Sequence, residues 1–477
     1  MTAAKTRDTT ASTERAETAE VLAPAPWTRS GSSQGEDSSR GSSEGSDSSR
    51  GSDSSRGSDS LRGSDSLRGS DSLRVTAVRT FLCAPQGCPY VIVRVETNQP
   101  GLYGLGCASD PQRTLAIRSV VDDYFGPMLL GRDPHDIEDL HRLLLNSGYW
   151  RGGSIAQNAL AGVDVALWDI KGKAAGLPLH QLLGGRAREA AEAYTHVDGE
   201  EAGEIAERVL AAAERGYRHV RVQVAVPGTD TYGTAPRDEA EARRRRLRAG
   251  SWDSLGYLRH VPPVLRDIRE RVGTGVELLH DAHERLTPSQ ARELVHEVED
   301  ARLFFLEDAL APEDAAHFGQ LRRAGSVPLA VGELYHDITM YLPLLEQRVI
   351  DFARIRIPTL GGLTPTRKLV AACELFGVRT APHGPGDVSP VGMAANLALD
   401  ISSPAFGVQE AAPFKEATLE VFPGAPVPRE GRLYPSEQPG LGVDFDESAV
   451  RRYPVTEPLE HDRWALLRNT DGSVQRP

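Results

Sequence analysis

From residue 186 onward the chain alternates short apolar runs with longer stretches in which apolar residues recur at three- and four-residue spacing. The runs 193–197, 219–224, 276–279, 303–306, 329–331, 352–357, 378–381 and 406–408 read as strands. Intervals such as 203–214, 289–299 and 366–376 are apolar along one face only, the signature of amphipathic helices. Eight strands with helical crossovers predict an α/β unit built on a parallel barrel rather than an open sheet. The interval 226–256 is long for a strand-to-helix connection, which marks it as either functional or disordered.

The rhythm ahead of residue 186 is different. Residues 91–95 (VIVRV) alternate like a half-buried strand, and a Pro-Gly turn followed by GLYGLG predicts a hairpin. Helical periodicity runs over 114–130, 137–145 and, most clearly, 156–175, where Gly176-Leu-Pro stops it. This unit, 75–185, is predicted to be α+β. Beyond Glu410 the chain becomes Pro-Gly-rich and irregular as far as Pro477. Between Gly45 and Arg74 the hexapeptide Gly-Ser-Asp-Ser-(Ser/Leu)-Arg runs five times without a break, and such a repeat cannot bury a core. The expected divisions are therefore a disordered tail (1–74), an α+β unit (75–185), the barrel (186–410) and a closing segment (411–477).

Composition narrows the partners. A formal charge of −13 over 477 residues argues against nucleic acid, which needs a basic footprint. The one basic run, Arg243–Arg248, is flanked by acidic residues and reads as a solvated stretch. Cys83, Cys88, Cys107 and Cys373 have no paired spacing, which fits free thiols in a reducing compartment. No apolar run approaches the ~20 residues that span a bilayer. The first thirty residues lack a secretory core, so the expected location is cytoplasmic.

The chemistry gathers at strand ends. Asp281 closes the third barrel run and His283 follows it; Glu307 closes the fourth and Glu333 the fifth, each carboxylate 26 residues after the last. Strand ends on one face of a barrel converge, so residues far apart in sequence meet there. Three carboxylates and no thiolate favour a hard ion, Mg²⁺ before Zn²⁺.

In order along the chain stand GVDVALWDIKGKAAGLPLHQLLGG, HDAHERLTP, LEDAL, VGE, PTLGGLT, PHGPGDVSP and FGVQE. With these motifs the chain from about Val75 to Ser473 resembles the enolase superfamily and, within it, the mannonate dehydratase family. The resemblance implies a (β/α)7β TIM-like barrel with an α+β N-terminal capping domain and a C-terminal segment returning to the cap. It implies Mg²⁺ on Asp281, Glu307 and Glu333, with Glu333 also at the substrate. It implies a general base formed by Tyr232 with Arg221, where many superfamily members carry Lys-x-Lys, and a general acid at His283 that also contacts the substrate. Substrate contacts are implied for His196, Arg354, His383, Asp387 and Glu410.

The implied reaction is dehydration of a sugar acid, D-mannonate or D-gluconate, to a 2-keto-3-deoxy acid by a homo-oligomer. Nothing in the resemblance calls for a nucleic-acid or membrane partner. Several positions depart from that pattern. The cap loop reads Asp110-Pro111-Gln112 where an asparagine is usual, the Arg221–Tyr232 interval is one residue short, Pro382 precedes His383, and Val474-Gln-Arg-Pro477 stands where a pocket-closing tryptophan is usual. A relative acting on a different acid, or a non-catalytic sugar-acid-binding or signalling protein, is the alternative reading.

Overall fold

The computed structural model describes residues 72–234, 251–455 and 467–476. The repeat tail and the Arg243–Arg248 run lie outside the described residues.

Three antiparallel strands, Val75–Cys83, Tyr90–Thr97 and Tyr103–Cys107, form the first sheet, and the helix Ser154–Ala175 lies across it. The second and third strands are the expected hairpin. The last two glycines of GLYGLG have a packing reason: a Cβ on Gly104 would come within 1.9 Å of Ala166 O, and one on Gly106 within 1.8 Å of Gly162 O. The helix therefore approaches the sheet backbone to backbone. It ends where expected, with Gly176 in the left-handed conformation at φ 67°. The stretch expected as one helix over 114–130 is instead two α-helical pieces, Thr114–Ser119 and Gly126–Leu129, joined by a π-helical turn, Val120–Phe125.

Eight parallel strands follow: Ala191–Gly199, His219–Val224, Glu277–Asp281, Phe305–Glu307, Leu329–Val331, Phe352–Ala353, Arg379–Thr380 and Gln409–Glu410. The eighth pairs with the first (Glu410 beside Tyr194), and Thr380 bridges Phe406, so the ring closes. The sixth strand is shorter than expected and the eighth lies after, not within, the apolar run 406–408. Apolarity marked burial there, not hydrogen-bonded register.

Tyr194, Leu279, Phe305, Ala330, Phe352, Ala381 and Val408, each in or directly beside a different barrel strand, fill the barrel centre. Pleating sends every second residue inward. Two positions beyond this plug, the same strands offer His196, Asp281, Glu307, Arg354, His383 and Glu410. The outward residues, among them Val220, Val222, Leu278, Leu306 and Leu329, pack under the surrounding helices. One of those helices, Ser254–Val272, carries Pro262 and Pro263 inside it, which hid it from a reading of the sequence alone.

After the eighth strand, Arg432–Leu433 pairs antiparallel with the start of the first barrel strand. The chain then crosses back to the first sheet. Tyr103 donates to Asp444 at 2.5 Å, Arg94 meets Glu447 at 2.5 Å, and Leu441, Val443 and Phe445 join the core around Tyr90, Ile92 and Leu105. Buried Asp169 ties its helix to the first sheet and to the returning segment, accepting from Leu105 N (2.9 Å) and Leu441 N (2.8 Å) as well as from Lys173 Nζ (2.7 Å) on the same helix. Among the described residues no helix is long and apolar enough to cross a membrane.

Candidate active site

The inward residues just beyond the plug are almost all charged, and two guanidiniums organise them. Arg354 is 0% exposed. Its Nε donates to Glu307, its Nη2 to Glu410 Oε2 at 2.6 Å with Glu333 Oε2 at 3.5 Å, and its Nη1 to Ala381 O at 2.8 Å. Arg354, expected at the substrate, is here the buried counter-charge of Glu307, Glu333 and Glu410. Arg221, on the second strand, reaches Asp281 Oδ2 and Glu410 Oε1, both at 3.3 Å, and Glu307 Oε2 at 3.8 Å. His196 contacts Glu410 Oε1 through Nε2 at 2.8 Å, and Gly384 N donates to the other oxygen of Glu410 at 3.0 Å.

Three loops bring further groups over this floor. Asp281 Oδ1 accepts the backbone N–H of His283 at 2.7 Å, which turns His283 into the left-handed region at φ 50° and aims its Nε2 toward Glu333 Oε1, 3.9 Å away. Tyr232, from the long second loop, stacks on His283 with ring centres 3.4 Å apart and planes 18° off parallel. Arg221 lies 5.6 Å from the centre of the Tyr232 ring. Glu333 is placed by the preceding glycine: at φ 137°, a Cβ on Gly332 would meet Tyr341 Oη at 2.2 Å. His383 Nε2 stands 3.5 Å from Glu333 Oε2.

Asp387 is set apart. Its Oδ2 meets Arg356 at 3.3 Å, and Arg356 also donates to Ser109 O (2.8 Å) and Asn158 Oδ1 (3.2 Å) on the cap. Arg356 was not among the expected site residues, although it occupies the next inward position after Arg354. The structure thus groups Arg221, Tyr232, Asp281, His283, Glu307, Glu333, Arg354, His196, His383 and Glu410, with Asp387 at the cap edge.

The charge balance is uneven. Asp281, Glu307, Asp308, Glu333 and Glu410 face two buried guanidiniums. Burial and the neighbouring Glu307 push Asp281 up to about 8, against the pull of Arg221. Burial, then repulsion among the acids, holds Asp308 and Glu333 well above the carboxylate range. Glu410 is the exception: burial raises it, but Arg354, His196 and Arg221 together keep it well below. Burial raises Tyr232 well above 10, Arg221 opposing and Asp281 and Glu333 adding to the rise. Burial lowers His196 and His383.

A divalent cation fits this donor set. Glu307 Oε2 is buried with no hydrogen-bond partner among the described residues, and the surplus of carboxylates is what a hard ion neutralises. Among the described residues, Glu307, Asp308 and Glu333 bring acidic oxygens within 4.8 Å of one another. Asp308 was not foreseen, and Asp281 is drawn toward Arg221. Asp281 nevertheless sits beside Glu307 in strand register.

Comparison with known proteins decides the family. Residues 72–184 match the mandelate racemase/muconate lactonizing enzyme N-terminal domain and residues 204–449 the enolase C-terminal domain-like family. A D-galactonate dehydratase family member from Streptomyces sp. (strain SPB074) is 88% identical over 404 residues, covering 85% of this chain and 91% of its own. One from Catenulispora acidiphila is 49% identical over 408 residues, covering 85% and 94%.

The chain belongs to the D-galactonate dehydratase family of the enolase superfamily.

This agrees with the expected carbon–oxygen lyase class, while the narrower assignment to mannonate dehydratases is not carried by these relatives. A solved family structure, an enolase from Pantoea ananatis with bound D-gluconate and Mg, is 42% identical with a TM-score of 0.79 and covers 85% of this chain and 100% of its own. A mandelate racemase/muconate lactonizing enzyme from Labrenzia alexandrii, 27% identical, superposes with a TM-score of 0.71, covering 80% and 96%. The capping domain and barrel of this family member are those of the superfamily.

Proposed function

We propose that the protein dehydrates a hexonic acid, D-gluconate or its C2 epimer D-mannonate, to the 2-keto-3-deoxy acid, with Mg²⁺ held by Asp281, Glu307 and Glu333. The observation that carries this reading is the stacked Tyr232–His283 pair standing over the acidic cluster. The D-gluconate and Mg held by the Pantoea relative support it. Bound there, Mg²⁺ supplies the positive charge that makes a proton next to a carboxylate removable. Tyr232, paired with Arg221, takes the proton from C2. His283 delivers a proton to the departing 3-hydroxyl, which leaves as water. Arg354 and Arg221 position the carboxylates, while His196, His383, Glu410 and Asp387 line the sugar's path.

Incubation with D-gluconate, D-mannonate and D-galactonate, with and without Mg²⁺, tests this directly. Metal-dependent 2-keto-3-deoxy acid is the expected product. Protein that binds Mg²⁺ but forms no product from any of the three would overturn it.

One observation favours a second reading. Burial raises the Tyr232 phenol well above its ordinary range, which works against proton abstraction and toward binding alone. Thermal stabilisation by a sugar acid with no product would support it.

The metal has its own signature. Asp281 has a folded pKa raised to about 8, so its contribution to stability is full below the ordinary carboxylate range and is lost as pH rises through 8. In chelator the melting temperature is expected to fall between pH 5 and 8. Added Mg²⁺ should restore more stability at pH 8 than at pH 5 and release protons on binding. Mg²⁺ stabilisation that is flat with pH would count against an ion at these carboxylates. Asp281→Asn is expected to weaken Mg²⁺ more than Asp308→Asn; the reverse order would give the third ligand to Asp308.

A further inference from the structure

Tyr232 and His283 stack face to face, yet they stand on different loops, one after the second barrel strand and one after the third. The 467–476 segment joins those loops. Arg468–Asn469 adds as a parallel strand to Ser251–Trp252 at the far end of the Tyr232 loop. Ser251 O in turn accepts from Asp230 N at 2.8 Å, two residues before Tyr232. The segment doubles back on itself: Asn469 N donates to Ser473 O (2.9 Å) and Gln475 N to Leu467 O (3.0 Å), with Leu467 buried against the barrel core. From the returning arm, Gln475 Nε2 donates to Arg285 O at 3.4 Å, two residues past His283. Arg285 closes the circuit by donating to Asp230 O at 2.8 Å. Finally Arg476 meets Asp314 at 3.2 Å and Glu313 at 3.7 Å, on the short helix Pro312–His317 that follows the strand bearing Glu307.

We propose that this hairpin is a positioning element for the Tyr232–His283 pair, fastened by Arg476 to the loop after the fourth strand. The proposal rests on the reading of those two side chains as the reacting groups. None of the hairpin's residues touches the acidic cluster in the contacts described, so its effect falls on the alignment of base and acid rather than on metal binding. A misplacement of about 1 Å can cost on the order of 10²-fold in rate, which sets the scale for losing it. Arg476 is half-exposed and its partner Glu313 more exposed still, and such pairs alone are weak. The strand pairing and buried Leu467 hold the hairpin; Arg476 sets where its free arm lands.

Three variants of the full chain test this: truncation after residue 466, Arg476→Asp, and the charge-swapped Arg476→Asp/Asp314→Arg. Hydrogen exchange over 225–234 and 282–287, measured with saturating Mg²⁺, is expected to quicken about tenfold in the first two. The same variants should lose roughly 10- to 100-fold in kcat with KM for Mg²⁺ unchanged. The swapped pair should recover both readouts, which a merely destabilised surface would not. Unchanged exchange in the truncated chain overturns the proposal, and so does a swapped pair no better than Arg476→Asp. If the intact protein turns over none of the sugar acids, the exchange measurement still decides whether the hairpin orders the pair, and the failed turnover counts against the proposed reaction instead.

Discussion

Replacing His283 with asparagine is expected to slow sugar-acid dehydration by about 10²–10⁴-fold while Mg²⁺ binding stays within a few-fold of the parent. Asparagine is the informative choice. His283 sits at φ 50°, and asparagine tolerates that backbone better than most residues, so the N–H that binds Asp281 Oδ1 should stay in place. What disappears is the imidazole stacked on Tyr232 and directed toward Glu333. Steady-state kinetics beside a Mg²⁺ titration separates the two effects. Turnover within threefold of the parent would remove His283 from the chemistry, whereas loss of both turnover and metal would make it a scaffold residue.

Arg354→Met should have a different and larger structural effect, a loss of about 3–5 kcal/mol in unfolding free energy at neutral pH, since it leaves buried carboxylates without their counter-charge. Three acids lean on this guanidinium, and Ala381 O takes another of its protons. The pH dependence tells this loss from simple cavity formation. Glu410 is held well below the usual carboxylate range, so its contribution is present above the unfolded pKa and fades as pH falls through the folded one. Once Arg354 is gone that contribution is lost, and the destabilisation should be greater at pH 7 than at pH 4. Denaturant titrations at both pH values measure it. An equal loss at both would mean that packing, not charge, is what Arg354 provides.

Much of this was written in the periodicity. Apolar runs located the barrel strands, and the carboxylates closing the third, fourth and fifth of them placed Asp281, Glu307 and Glu333 on one face, because strand ends of a parallel barrel must converge. Depth was not written there. Arg354 and Arg356 are alternate residues of the segment that continues the sixth strand, but one is buried against the acids and the other reaches the cap; only the packed barrel distinguishes them. Asp308 escaped notice because a residue following an inward glutamate should face outward, and a positive φ of 40° turns it back. Tyr232 was reached by resemblance alone, since nothing in the pattern of a long polar loop says which of its side chains will land on a histidine fifty-one positions on.

The returning segment that completes the cap has a consequence for how the protein is made. The first sheet leaves the ribosome with its inner face uncovered, because Leu441, Val443 and Phe445 and the N–H that Asp169 accepts lie more than 250 residues downstream. At about 5–20 residues per second, the emerging cap waits on the order of 10–50 s for its missing piece, with the whole barrel synthesised in between. Contacts so distant in sequence make for slow closure. The nascent chain is thus at its most aggregation-prone when the barrel is nearly finished and the cap is still open. Chaperone dependence should be concentrated in that interval.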